Sequence, residues 1–258
     1  MPNKFTILGF SHIVLEVRNL RRSLDFYNSL GFQKEFEISE KISLKKKEIL
    51  FNNPSKVSLK YLKNINSNTV GMEIMKHNKN LKRKIQSNFI YAYNTKYKRT
   101  KSFKDPDGNI IVLLSKKTKG QHIFFLTSNL DKTESFLKKN MGMVKFKTPN
   151  NIISIKKYFI KKNKIKSLKL KNVLINTWDL KIHLISTKKK FENKFLNQIG
   201  FTCLGVIITN MNKLMKKKEK FIGPFKIKKY YLNKKKSSEI CFLNEKNSIY
   251  FEYYLNKI

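Results

Sequence analysis

The sequence predicts an α+β protein built from four βαβββ-type units, paired into two domains of curved antiparallel sheet with helices on the outer faces. Three observations carry this reading. An internal repeat lays residues 11–36, SHIVLEVRNLRRSLDFYNSLGFQKEF, over residues 121–146, QHIFFLTSNLDKTESFLKKNMGMVKF, at an offset of 122 − 12 = 110. Within each copy the apolar period changes from two to about 3.6. Short runs of strand character, separated by Asn, Pro, Ser and Lys, then follow each copy.

Each copy opens as a strand. Phe10, His12, Val14 and Glu16 alternate with Ile13, Leu15 and Val17, so two faces are expected. Asn19 and Asn129 then suit helix N-caps, because an Asn side chain accepts the amide hydrogens of the first turn. Leu20, Leu24, Tyr27 and Leu30 recur at helical spacing and should pack on the sheet, and Gly31 and Gly142 suit the left-handed helix ends. Strands are expected at 32–38, 43–51 and 57–62 in the first copy, and at 143–147, 151–160, 166–176 and 179–186 in the second. A further unit opens with TVGMEIM at Thr69, has a polar helix at 78–87, and closes with strands 89–95, 99–104 and 109–115. The last opens with CLGVIIT at Cys203, has a helix at 210–219, and closes with strands 225–231, 238–243 and 248–255. The join near 116–120 divides the chain into expected domains 1–117 and 118–258.

Composition narrows the function classes. The formal net charge of +39 would ordinarily point to nucleic acid or an acidic surface. Only five of the 56 basic residues are arginine, however, whereas phosphate and base recognition favours its planar fork. With 28 asparagines and one alanine, Ala92, the lysine excess has the pattern expected of an AT-rich genome. The lysines are spread over every segment, so they read as a solvated coat, with no specific nucleic-acid partner. No apolar stretch approaches the ~20 residues of a membrane helix, and the first residues lack a signal-peptide pattern. Two cysteines, Cys203 and Cys241, make no disulfide framework and suit a reducing compartment. A cytoplasmic location is expected, or an organelle matrix if a targeting segment has been removed. Walker loops, dinucleotide fingerprints, HExxH and serine elbows are all absent from the sequence.

The segments SHIVLEVRNLRRSLDFYNSLGF and FKDPDGNIIVLLS, the second at 103–115, resemble the vicinal oxygen chelate superfamily, which includes glyoxalase I, bleomycin-resistance proteins and extradiol dioxygenases. The likeness spans nearly the whole chain and is strongest over 9–115. It implies a divalent metal held in the cup of a curved sheet, where it polarises adjacent oxygens of a small substrate. Laid onto the first domain, the family's metal positions fall on His12, Lys60, Thr69 and Val112. Only one of these is an imidazole, and Val112 has no lone pair, so that domain is expected to be metal-free. In the second domain the positions fall on His122, His183, Cys203 and Glu252, all capable ligands that together suit Zn²⁺ or Fe²⁺. The resemblance thus implies a metal-dependent, glyoxalase-like lyase or dioxygenase. Glu252 would take a substrate proton, and His183 would act as a fourth ligand or as a nearby acid/base. The alternative is a metal-independent protein that binds or sequesters a small molecule without catalysis. Either form is expected as a monomer or homodimer, with no membrane partner.

Overall fold

A computed structural model of the chain describes residues 6–41, 50–51, 56–79, 89–150, 152, 164–175, 179–188, 195–217, 219–231, 234–245 and 249–255. The repeat folds as its periodicity requires. Strand β1 (Ile7–Glu16) leads into helix α1 (Leu20–Ser29), followed by β2 (Phe32–Lys41), β3 (Lys56–Asn64) and β4 (Gly71–His77). Next come β5 (Phe89–Asn94), β6 (Lys101–Lys104) and β7 (Ile110–Leu114). The second copy gives β8 (Gln121–Thr127), α2 (Leu130–Met141), β9 (Met143–Phe146), β10 (Ile165–Leu170) and β11 (Leu180–Ser186). The chain finishes with β12 (Gly200–Ile208), α3 (Met211–Met215), β13 (Ile222–Tyr231), β14 (Lys234–Glu245) and β15 (Ile249–Leu255). Asn19, Asn129 and Asn210 cap the three helices through side-chain oxygens that accept from Arg22, Lys132 and Lys213 amides. Gly142 closes α2 in the left-handed conformation, with φ 62°. The expected helix at 78–87 and the strands at 43–51 and 151–160 fall largely outside the described residues.

Sheet membership groups the units differently from their order along the chain. An eight-stranded sheet runs β13-β14-β15-β12-β1-β4-β3-β2, and a seven-stranded sheet runs β6-β7-β5-β8-β11-β10-β9. The first and last units therefore share one sheet, and the two middle units share the other. The expected boundary between 117 and 118 falls between β7 and β8, inside the seven-stranded sheet. TVGMEIM is also reassigned: β4 runs parallel to β1 and closes the first unit, and it does not open the second.

A shared core holds the two sheets together. Ile13, Leu15, Tyr27 and Met72 from the eight-stranded half pack in one cluster with Tyr91, Ile111, Ile123 and Leu184 from the other. Buried polar contacts cross between the halves as well. The Tyr27 hydroxyl donates to Asp105 Oδ2 at 3.0 Å, and the Gln121 side-chain oxygen accepts from the Val70 amide at 2.6 Å. Each sheet turns its other face to a smaller cup. One is lined by Val14, Cys203, Tyr250 and Tyr254 and covered by Leu50, Phe51 and Leu196; the other is filled by Ile90, Ala92, Val112, Leu114, Phe124 and Ile185. Among the described residues no helix is long and apolar enough to cross a membrane.

Candidate metal centre

Strand alternation decides which side chains enter the first cup. In β1, His12, Val14 and Glu16 face it. In β4 the pairing of Val14 with Glu73 puts Glu73 on the same face, and in β15 the pairing of Gly205 with Glu252 does likewise. Three donors from β1, β4 and β15 consequently meet. His12 Nε2 lies 3.3 Å from Glu252 Oε2 and 3.5 Å from Glu73 Oε2, and one ligand atom from each residue lies within 4.8 Å of the others. All three are buried. No other group of three or more His, Cys, Asp or Glu side chains meets this test among the described residues.

The surroundings orient the imidazole. His12 Nδ1 is 2.7 Å from the Ser11 hydroxyl. Tyr254 meets the ring edge-on at 5.2 Å between centroids, and Tyr61, itself stacked on Phe36, approaches from the β3 side. The Ser11 contact at Nδ1 holds the ring with Nε2 towards the carboxylates; a proton on Nδ1 would leave the Nε2 lone pair for an ion, the tautomer a metal ligand requires. One imidazole nitrogen and two carboxylates, all buried, are a donor set that fits a divalent cation, because the two negative charges are matched by the ion.

The four residues expected as ligands do not converge. His122 and His183 belong to the seven-stranded sheet, whereas Cys203 and Glu252 belong to the eight-stranded one. Glu252 is in the three-donor group. Cys203 lines the same cup outside that group. Burial, reinforced by the charges of Glu252 and Glu73, pushes its thiol well above the ordinary range, and its sulfur is not among the three converging donors.

In the second cup His122 and His183 bond to each other, Nδ1 to Nε2 at 2.8 Å. The chain of contacts continues from His183 Nδ1 to the Ser167 hydroxyl at 2.7 Å and from His122 Nε2 to the Lys119 carbonyl at 3.0 Å. Burial pulls the His122 imidazole down to about 4. It pulls His183 well below its usual value, with the neighbouring His122 adding to the effect, so both stay neutral near pH 7.

The first half, expected to be metal-free, contributes His12 and Glu73, two of the three donors of this group. Glu73 escaped the sequence reading because TVGMEIM was aligned as an opening strand, which put the metal position on Thr69. The repeat contained the signal: 183 − 73 = 110, the same offset that lays His122 on His12. Glu73 and His183 are therefore counterparts on parallel strands next to β1 and β8. Val112 occupies the counterpart position of Glu252, being paired with Ala92 as Glu252 is with Gly205.

No protein-family model and no curated protein sequence matches the chain. Solved structures do. Glyoxalase I from Zea mays aligns over 97% of this chain and 92% of its own at 13% identity, with a TM-score of 0.57. A Bacillus subtilis protein provisionally assigned as a dioxygenase aligns over 98% of this chain and 86% of its own, also at 13% identity, with a TM-score of 0.59. The chain has the vicinal oxygen chelate fold. At such identities the likeness speaks for architecture, and function has to be argued from the cup. Within that fold the two cups of this protein differ in kind: one gathers a histidine and two carboxylates, the other a histidine pair among apolar side chains.

Proposed function

We propose that the protein is a divalent-metal-dependent enzyme of the glyoxalase-like kind, which moves a proton beside a carbonyl of a small oxygenated substrate, and that His12, Glu73 and Glu252 hold the metal. The supporting observation is the convergence of these three buried donors from β1, β4 and β15. A divalent ion there would act as a Lewis acid, polarising vicinal oxygens and favouring loss of the adjacent proton. The chain's own groups supply the rest. Ser11 orients the His12 ring through its contact at Nδ1, and burial in the cup limits competing water. Glu252 and Glu73 provide carboxylates able to accept and return a proton. The donor set contains one imidazole and two carboxylates, the inverse of the two-histidine, one-carboxylate triad of non-haem iron oxygenases, which favours proton transfer over oxygen chemistry.

A metal-independent binding protein is the second reading. The distances of 3.3 and 3.5 Å from His12 Nε2 favour it, because an Nε2–H could be shared between both carboxylates unaided. Metal analysis of the purified protein and calorimetric titration with Zn²⁺, Fe²⁺ and Mn²⁺ separate the two. The enzyme reading expects one equivalent, lost in His12→Ala and Glu252→Gln and retained in His122→Ala. Wild-type protein with no metal affinity and no thermal shift would leave only the binding reading.

A further inference from the structure

We propose that Ser11 and Gly205 are positioning residues that make one of the two cups competent for metal, and that the other cup lacks both devices. The inference rests on the metal centre proposed above and concerns how its imidazole is held.

The first device is a bulge. The pairing of β1 with β12 slips between Phe10 and His12, at Ser11. Its effect is visible in the packing: Phe10 and Ile13, three residues apart, join the same shared core, while His12 and Val14 face the cup. A bulge re-aims the side chains around it. Here it brings the Ser11 hydroxyl to His12 Nδ1 and lets the ring lie across β12 towards Glu252.

The second device is a missing side chain. Gly205 pairs with His12 on one side and with Glu252 on the other, the place from which a further donor could enter the cup. A Cβ built on Gly205 comes closer than 3.0 Å to His12 Cε1 and Nδ1 and to Ser11 Oγ. The imidazole and the serine hydroxyl thus occupy the space that any side chain at 205 would need. A donor gained at 205 would displace the one at 12, so the protein shell is limited to three and the remaining coordination is left to exchangeable ligands.

The second cup is the internal control. Its counterpart of His12 is His122, which pairs with Ala92 where His12 pairs with Gly205. The pairing of β8 with β5, the counterpart of β1 with β12, runs without a slip from Gln121 to Phe125, and the counterpart of Ser11, Gln121, turns its side chain away to the Val70 amide and the Tyr91 hydroxyl. Lacking bulge, hydroxyl and glycine, His122 leans instead on His183 and on the Lys119 carbonyl.

Co²⁺ titration followed by its visible absorption, together with Zn²⁺ calorimetry, tests this on full-length protein. Gly205→Ala keeps every donor, yet it is expected to weaken binding about 10–100-fold and to change the Co²⁺ spectrum; Ser11→Ala is expected to weaken it about 10-fold, with recovery in Ser11→Thr. Nitrogen NMR of the imidazoles in metal-free protein adds a readout independent of the metal: the His12 Nδ1 signal should show its hydrogen bond with Ser11 in the wild type and shift in Ser11→Ala. Wild-type affinity and spectrum in both variants, or an unchanged His12 Nδ1 signal, would overturn the inference. A wild type that binds no Co²⁺ would instead defeat the metal centre itself, with the Nδ1 signal still deciding the role of Ser11. Should Gly205→Ala fail to fold, Ser11→Ala decides alone.

Discussion

Removing the Tyr27 hydroxyl tests how the two halves are fastened. Tyr27 is fully buried on α1, and its hydroxyl donates across to Asp105 in the DPDGN turn between β6 and β7. Asp105 accepts three further hydrogen bonds, from the amides of Asp107 (3.0 Å) and Asn109 (2.7 Å) and from the Asn109 side chain (2.8 Å). A hydrogen bond to a charged group contributes about 1.5–3 kcal/mol, so Tyr27→Phe, which keeps the ring and its packing, should cost about that much. Asp105→Ala leaves four donors without their acceptor, three of them buried, and should cost about 3–5 kcal/mol. Because the residues share one contact, the double variant should lose less than the sum of the singles, with a coupling of about 0.5–3 kcal/mol. Urea denaturation followed by tyrosine fluorescence and by circular dichroism measures all four proteins, and an unchanged m-value shows that the same unfolding is being compared. A loss below about 0.5 kcal/mol for Tyr27→Phe, or strict additivity, would refute the claim that this turn latches the halves. Acidity adds a check on sign. Burial raises the Asp105 carboxyl above its ordinary value, against the lowering effect of the Asn109 and Tyr27 hydrogen bonds. Its ionised form is therefore a cost at neutral pH that lessens as pH falls through its folded value.

The histidine pair of the second cup should make the protein acid-sensitive. Both imidazoles are held neutral below their unfolded value, His122 down to about 4, so the unfolded chain binds more protons between about pH 6.5 and that value and stability falls as pH drops through this window. Denaturation at pH 7.5 and 4.5 should show the loss, and His122→Asn should make it shallower; an identical slope in the variant contradicts the assignment. On the outer face of the seven-stranded sheet, burial opposes ionisation of Glu134, but hydrogen bonds from Lys138, Lys166 and Lys145 outweigh it and bring the carboxyl down to about 2. Its stabilising contribution is complete above about pH 4.5 and is lost towards pH 2, so Glu134→Gln should destabilise at pH 7 and lose that penalty in strong acid, read by thermal unfolding at both pH values. At the metal centre, Zn²⁺ at 100 times its dissociation constant should stabilise the wild type by about 2.7 kcal/mol, and Glu73→Gln should abolish most of this shift in a melting assay. A full shift in that variant would remove Glu73 from the donor set.

Local features of the fold were legible because they are set by neighbouring residues. The period-two run through Val14 and the Asn19 and Asn129 caps each follow from a few adjacent side chains, and the structure shows them where the sequence places them. Sheet membership is a long-range property. Nothing local in TVGMEIM says whether it opens a unit or closes one, and that choice alone moved the metal position from Glu73 to Thr69 and paired the units in chain order. The bulge at Ser11 is equally silent: alternation through Phe10 and His12 predicts one face for both, and only the slipped pairing with β12 sends Phe10 to the core. Of the four expected ligands, Glu252 was reached through the resemblance, as the donor on the last strand. His122 and His183 do adjoin each other, but in the other cup, where among the described residues no carboxylate joins them in a group of three donors.

The most direct test of the central claim is a crystal structure of the protein grown with Co²⁺ and examined by anomalous scattering at the cobalt edge. A single peak within bonding distance of His12 Nε2 and of carboxylate oxygens of Glu73 and Glu252 is the predicted result. A peak between His122 and His183, or none in the first cup at saturating metal, would contradict it.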